Sequence, residues 1–219
     1  EDLTVIDGQL MVRTISGPQP VSVLWRRLDA NWVDPMELDE TSRLGTPGLL
    51  SALRAGTVHM VNALGSGVLE ARAFMAFLPR LSEVLTGKPL AIPNIATWWC
   101  GSEAEREHVL ANAGRLMIGP ANSLHMPLEP DRETSLGGEV RPASAGSLAD
   151  WLSAAGPQLV GQEAVTLSTT PVWSEGRIVP RPMSIRVFMA RTPSGWQVMP
   201  GGYARIAASD ADPSAVSLR

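Results

Sequence analysis

Cysteine is almost absent: the 219 residues contain one, Cys100. A lone thiol excludes an intrachain disulfide framework and is compatible with a reducing compartment. Lysine is as scarce, with Lys88 standing against seventeen arginines. Any site for an anion must therefore be built mainly from arginine, whose planar fork suits doubly hydrogen-bonded oxygens better than a point charge does. No apolar run approaches the roughly 20 residues that a membrane span needs, and Glu1-Asp2 is not the start of a signal peptide. The formal charge of −4 and pI near 5.4 leave no general basic surface, so duplex nucleic acid is not an expected partner. His59, His108 and His125 fall at no metal-ligand spacing, so no metal is assigned to them. No internal repeat is present. These absences describe a soluble cytoplasmic protein that engages neither nucleic acid nor membrane.

With 44% hydrophobic residues, the chain can bury one sizeable core or two lobes sharing a cleft. Leu3–Ile6 and Leu10–Thr14 flank Asp7-Gly8-Gln9 and predict a β-hairpin, since glycine accepts positive φ without a Cβ clash. Val21–Trp25 reads as a core strand delivering Arg26-Arg27, and Val58–Ala63 as a buried one. Thr46-Pro47 predicts a helix through about residue 54, with threonine as its cap. Beyond the turn at Gly65-Ser66-Gly67, apolar residues at Leu69, Ala73, Ala76, Phe77 and Val84 predict a long helix over about 68–85, kinked at Pro79. Ser102 with Glu105 three residues on marks a capped helix to about residue 113. Further elements are expected at Leu116–Ile118 (strand), Ser147–Ala155 (helix) and Leu159–Val165 (strand). Residues 120–146, rich in Pro, Gly, Ser and Glu, read as a loop. Strands alternating with helices before a β-rich end place the fold in the α/β or α+β class. Glu1 enters almost directly into a strand and Asp210–Arg219 carries no capped element, as expected of a piece of a longer polypeptide.

The stretch from Leu159 to Ala207 is the most informative. Alternation through Met183–Phe188 fits a half-buried strand with Ser184, Arg186 and Phe188 on one face. A guanidinium beside a bulky apolar side chain is costly to bury unless it meets an anion. Arg205 follows a glycine-rich turn at Pro200-Gly201-Gly202, where backbone can approach a ligand closely. Arg26-Arg27, with Asp29 and Asp34 just beyond, fits either an anion-binding group or a salt-bridge cluster that fixes a loop. Asn62 and Glu70 flank a turn and helix start that could meet a substrate carboxylate or simply cap the helix. Cys100, in Trp98-Trp99-Cys100, has no histidine beside it in sequence and reads as a small buried hydrophobe rather than a nucleophile.

Six segments, in order, carry a family resemblance: DLTVIDGQLMVR (2–13), PVSVLWRRLDANWVDP (20–35), LGTPGLL (44–50), VNALGSGVLE (61–70), IATWWCG (95–101) and the series LVGQEAVTLSTTPVW, VPRPMSIRVF and VMPGGYARIA in the last third. Together they resemble the circularly permuted ATP-grasp ligases, the glutathionylspermidine-synthase-like group. That resemblance implies two lobes with ATP between them, residues 95–165 forming the nucleotide-binding lobe and 1–94 with 166–219 the second. It implies Gln162 and Glu163 at the hinge beside adenine, and Arg181 and Arg186 facing phosphates or an acyl-phosphate. Arg26, Arg186 and Arg205 are then the candidates for anion stabilisation during catalysis. The activity implied is ATP-dependent joining of a carboxylate to an amine, with magnesium whose ligands precede residue 1 in the parent chain. Small-molecule or peptide substrates and the remainder of that chain are the implied partners.

The resemblance breaks at one place. Active members usually carry a basic residue where Gly119 stands, followed by a glycine-rich loop that ANSLHMPLEPDRETSLGG does not match. Either an arginine from elsewhere takes that role, with Arg115 and Arg141 as the candidates, or the module binds nucleotide weakly. A degenerate, non-catalytic ATP-grasp module used for binding or scaffolding is the competing reading.

Overall fold

The computed structural model describes residues 2–124 and 133–207 and divides the chain into two compact units, 1–70 and 71–219. The expected content of residues 125–132, and of the tail beyond 207, lies outside the described residues.

In the first unit, β1 (Leu3–Ile6), β2 (Gln9–Thr14) and β3 (Gly17–Pro20) form an antiparallel sheet in that order. The hairpin between β1 and β2 turns at Asp7 and Gly8, both at positive φ. That is the backbone a two-residue turn with the strands' own twist demands. β4 (Val23–Trp25) pairs in parallel with β5 (His59–Val61), and α1 (Leu49–Arg54) lies between them in sequence. The two strands are shorter and more open than expected: Val23 and Trp25 are more than half exposed. The core of the unit is instead Leu10, Val33, Leu49, Leu50, Ala52 and Val58.

α1 starts two residues later than Thr46-Pro47 suggests, and its cap is not threonine. Gly48 occupies the N-cap position at positive φ. The carboxylate of Asp34, fully buried, accepts from the N–H of Leu50 (2.9 Å) and of Gly48 (3.2 Å), and also from that of Met36 (2.9 Å). A charge from another segment thus satisfies donors that the helix cannot satisfy itself.

In the second unit the long helix expected over 68–85 is three pieces. Residues Ser66–Glu70 and Arg72–Ala76 are 3₁₀ turns, the first belonging to the end of the other unit, and α2 spans Leu78–Thr86. Pro79 lies in the first turn of α2, where its missing N–H costs nothing, so it starts a helix rather than kinking one.

β6 (Thr97–Trp99), α3 (Glu103–Ala111), β7 (Leu116–Pro120), β8 (Ser135–Leu136), α4 (Leu148–Ala155) and β9 (Leu159–Glu163) follow. The strands form one antiparallel sheet in the order β6-β9-β7-β8. Ser102 and Ser147 cap α3 and α4 as the sequence indicates, the latter in a reciprocal capping box with Asp150. Val109 of α3 with Trp151 and Leu152 of α4 pack on Cys100, Leu116, Ile118 and Leu159 to form the core of this unit. Gly161 brings α3 close: a Cβ there would sit 2.7 Å from Val109 Cγ2.

The chain ends in a three-stranded antiparallel sheet, β10 (Thr169–Ser174), β11 (Arg177–Thr192) and β12 (Gly195–Ile206). Pro200-Gly201-Gly202 is not a turn here but an irregularity within β12. Val187 pairs with Gly202 while Met189 pairs with Val198, and Gly201 takes positive φ. The architecture is mixed α/β with several sheets. No helix among the described residues is long and apolar enough to cross a membrane.

Candidate functional site

β9 carries Gln162 at its C-terminal end, 1% exposed. Strand alternation puts Val160 and Gln162 on the face away from α3, since Gly161 faces Val109. On that face Gln162 is paired across the ladder with Thr97 of β6 and Met117 of β7. Its Nε2 donates to Thr97 Oγ1 at 3.1 Å and lies 3.4 Å from Met75 Sδ. Its Oε1 is buried and has no hydrogen-bond partner among the described residues. A buried carbonyl oxygen left unpaired costs about 1–3 kcal/mol, so an arrangement that keeps it so calls for a reason. With Nε2 anchored on Thr97, Oε1 is a fixed acceptor suited to an N–H donor of a ligand. Glu163, next in the strand, is exposed; its backbone N–H donates to Ala96 O at 2.9 Å.

The same face holds a residue that the sequence reading passed over. Arg72 is 2% exposed, and its Nη1 donates to Thr134 Oγ1. Thr134, itself buried, fills the room that Gly119 leaves: a Cβ on Gly119 would lie 2.2 Å from Thr134 Oγ1. Gly119 pairs with Val160, so it is the diagonal neighbour of Gln162 on one side of the sheet. The Arg72–Ala76 turn is tied to the sheet by two backbone bonds, Arg72 N–H to Ser123 O and Ala73 N–H to Ala121 O. The sequence held one signal for this residue. Arg72 is the only charge between Glu70 and Arg80, directly before the apolar run AFMAFLP.

Arg186 and Arg205 fall on one face of the last sheet. Arg205 pairs with Ser184 and Arg186 with Tyr203, so the two arginines are diagonal neighbours. Arg186 Nη1 lies 3.5 Å from Tyr203 Oη, and the Tyr203 ring tilts against Phe188 at 6.1 Å. The shared face of Ser184, Arg186 and Phe188 is as the alternation indicates. Arg181, five residues before Arg186 along β11, is on the opposite face by the same alternation.

Arg26 lies in the first unit and its guanidinium is spent on three backbone carbonyls and the Ser66 hydroxyl. Nε donates to Asn62 O at 2.7 Å, Nη1 to Leu28 O, and Nη2 to Ala63 O (3.4 Å) and Ser66 Oγ (3.2 Å). Asn62, at positive φ, returns a bond from Nδ2 to Arg26 O at 2.9 Å. The pair fixes the 62–66 turn.

Cys100 is fully buried in the core, and burial pushes its thiol up to about 11. The buried-hydrophobe reading of this residue agrees with its surroundings, and thiolate chemistry does not. The ring of His108 stacks on Trp98 with centroids 4.5 Å apart. Among the described residues no three His, Cys, Asp or Glu side chains gather to hold a metal.

Comparison with known proteins gives this arrangement a context. The family model described as circularly permuted ATP-grasp type 2 matches residues 1–207. An uncharacterized protein of Mycobacterium tuberculosis is 36% identical over 218 residues, covering all of this chain and 24% of its own length. A protein of Frankia alni named as a candidate glutamate–cysteine ligase 2-3 is 29% identical over 186 residues, covering 84% of this chain and 21% of its own length. The chain therefore spans about a quarter of the length of these relatives. Among solved structures, the ATP-grasp ligase PsnB complexed with a minimal precursor is 17% identical, with a TM-score of 0.34 over 77% of this chain and 49% of that one.

Proposed function

Since this chain belongs to the circularly permuted ATP-grasp type 2 family, we propose that its parent protein is an ATP-dependent carboxylate–amine ligase of the glutathionylspermidine-synthase-like kind. The family match over residues 1–207 carries this reading, and the anchored amide of Gln162 with its free Oε1 is the local chemistry that supports it. In the proposal Oε1 and the backbone of the Glu163 segment receive the adenine edge. Residues 95–165, whose strands pair into one sheet, are the nucleotide lobe; 1–94 and 166–219 supply the second.

ATP supplies the γ-phosphoryl group. A carboxylate oxygen of the acid attacks γ-phosphorus, the bond to the ADP oxygen breaks, and an acyl-phosphate forms. The amine nitrogen then attacks the acyl carbon, phosphate leaves, and the nitrogen gives up a proton as the amide forms. Arg186 and Arg205, side by side on one face, suit the oxygens on which negative charge gathers. Arg181 is assigned to the nucleotide from the opposite face of β11, through its own phosphate contact. Arg26, proposed for the acid substrate, acts by holding the 62–66 turn in place. Magnesium, when bound, would neutralise the oxygens of the transferring phosphoryl group, and its ligands are proposed to lie in the rest of the parent chain. Small-molecule or peptide acids and amines are the substrates proposed, and use of ATP points to the cytoplasm.

Gly119 favours a second reading, a module that binds or scaffolds without catalysis. No cation projects from β7 at that position, and Thr134 occupies the space. Calorimetric titration of the full-length protein with ATP, with and without magnesium, separates the two. Binding below about 1 mM, corresponding to roughly 4 kcal/mol, supports the ligase; no heat of binding up to millimolar ATP supports the scaffold.

A further inference from the structure

We infer that one face of the last sheet is an interface with a segment of the parent chain outside residues 1–219. Residues paired across a ladder share a face of the sheet, and so do alternate residues along a strand. Ile185, Val187 and Met189 of β11 therefore lie on one face with Trp196, Val198 and Ile206 of β12. These six side chains are 44% to 66% exposed. The other paired positions on that face are Met183, Gly202 and Ala204, with a single charge, Arg191, opposite Trp196 at the hairpin end. The opposite face carries Ser184, Arg186 and Phe188 and, across from them, Tyr203 and Arg205. The sheet thus keeps its guanidinium and phenol groups on one side and an aliphatic and indole surface on the other.

A contiguous apolar face is rarely left to water in a finished protein, because its burial is favourable and its exposure invites association. Burial along β11 runs opposite to what its chemistry asks: Ser184, Arg186 and Phe188 are half-buried, while Ile185, Val187 and Met189 are exposed. The first unit shows the same deficit. β4 and β5 are a parallel pair, an arrangement normally covered on both sides. Leu24 and Met60 pack on the core, whereas Val23, Trp25 and Val61 are 48% to 59% exposed. A two-fold contact between copies buries one self-complementary patch and does not by itself explain a second uncovered strand pair. A missing layer of the same polypeptide accounts for both. The chain spans about a quarter of the length of the relatives named above, so a parent of that length has ample sequence to supply the layer. The occupant is therefore a segment of the parent itself, apolar on the side that it turns to the sheet. This packing stands whether or not the nucleotide reading holds.

The test is hydroxyl-radical footprinting of the full-length protein, read at Met189 and Trp196 by mass spectrometry. Native and urea-unfolded samples are compared, the native one at a high and a low protein concentration. Both residues are expected to be oxidised about tenfold more slowly in the native protein, at either concentration. Native rates close to those in urea overturn the inference. Protection that is lost on dilution also overturns it, since a second copy would then cover the face. A benzoylphenylalanine photo-crosslinker in place of Trp196, in a mixture of isotope-labelled and unlabelled full-length protein, identifies the occupant. Adducts within one chain to peptides outside residues 1–219 are expected. Adducts between chains, or only to peptides within 1–219, overturn the inference. The footprint needs no substitution, so it decides even where the crosslinker variant fails to fold.

Discussion

Gln162 donates from Nε2 to the hydroxyl of Thr97, its cross-strand neighbour, at 3.1 Å, and this bond fixes which end of the amide is left over. An amide rotated end for end would present a donor to the same space. The Thr97 hydroxyl donates its own proton to Ile95 O at 2.8 Å and so can only accept from the amide, which leaves Oε1, an acceptor, as the free end. Thr97→Val is expected to release the amide and to weaken adenosine and ATP alike by about three- to tenfold, equivalent to roughly 1 kcal/mol of a hydrogen bond. Equilibrium titration of the full-length variant measures it.

Asp34 gives a stability prediction that does not depend on function. Its carboxylate serves the N–H groups of Met36, Gly48 and Leu50 from a fully buried position. Asp34→Ala leaves those donors unpaired and is expected to cost about 2–4 kcal/mol. Asp34→Asn, keeping an acceptor oxygen, is expected to cost less. Denaturant unfolding of the two variants checks the order.

Cys100 predicts a pH dependence. Its thiol is held neutral up to about 11, above the ordinary 9.0, because burial disfavours the thiolate. The folded state binds this proton more tightly than the unfolded chain, so the contribution to stability is complete below pH 9 and is lost as pH rises toward 11. Alkylation at pH 8 is expected to be negligible in folded protein and rapid in urea. Fast labelling of the native protein would contradict the buried thiol.

Gly119 and Gly161 lie on adjacent strands and face opposite layers, so alanine should act differently at each. At Gly161 the new methyl meets Val109 Cγ2 at 2.7 Å, pushing α3 from the sheet. At Gly119 it meets the side chain of Thr134, displacing one hydrogen-bond partner of Arg72. Both variants are expected to lose about 1–3 kcal/mol of stability, which denaturant unfolding measures.

Much of this was written locally in the sequence. Asp7-Gly8 announces a turn with two positive φ values, and Ser102 and Ser147 announce the starts of α3 and α4, because those signals need only neighbouring residues. Gln162 was reachable from the motif around it, but the role of its Oε1 was not, since that depends on Thr97, 65 positions away. The same distance effect hid the cap of α1, where Asp34 works from 16 residues upstream of Leu50. Arg72 was hidden by periodicity: its neighbours match a long amphipathic helix, whereas in the structure Arg72 N–H bonds to Ser123 O and Ala73 N–H to Ala121 O, contacts that tie a short turn to the sheet. Arginine faces in the last sheet were half legible. Alternation put Arg186 with Phe188, while the pairing of Arg205 with Ser184 required the register around the β12 irregularity.

The central claim is that a nucleotide is read by the Gln162 amide. Its most direct test is adenosine and ATP binding to full-length wild-type protein and to Gln162→Met, which keeps the length of the side chain and removes the acceptor. The expected result is measurable wild-type binding with a loss of tenfold or more for both ligands in the variant, at an unchanged ATP-to-adenosine ratio. Equal affinity in wild type and variant would contradict the claim.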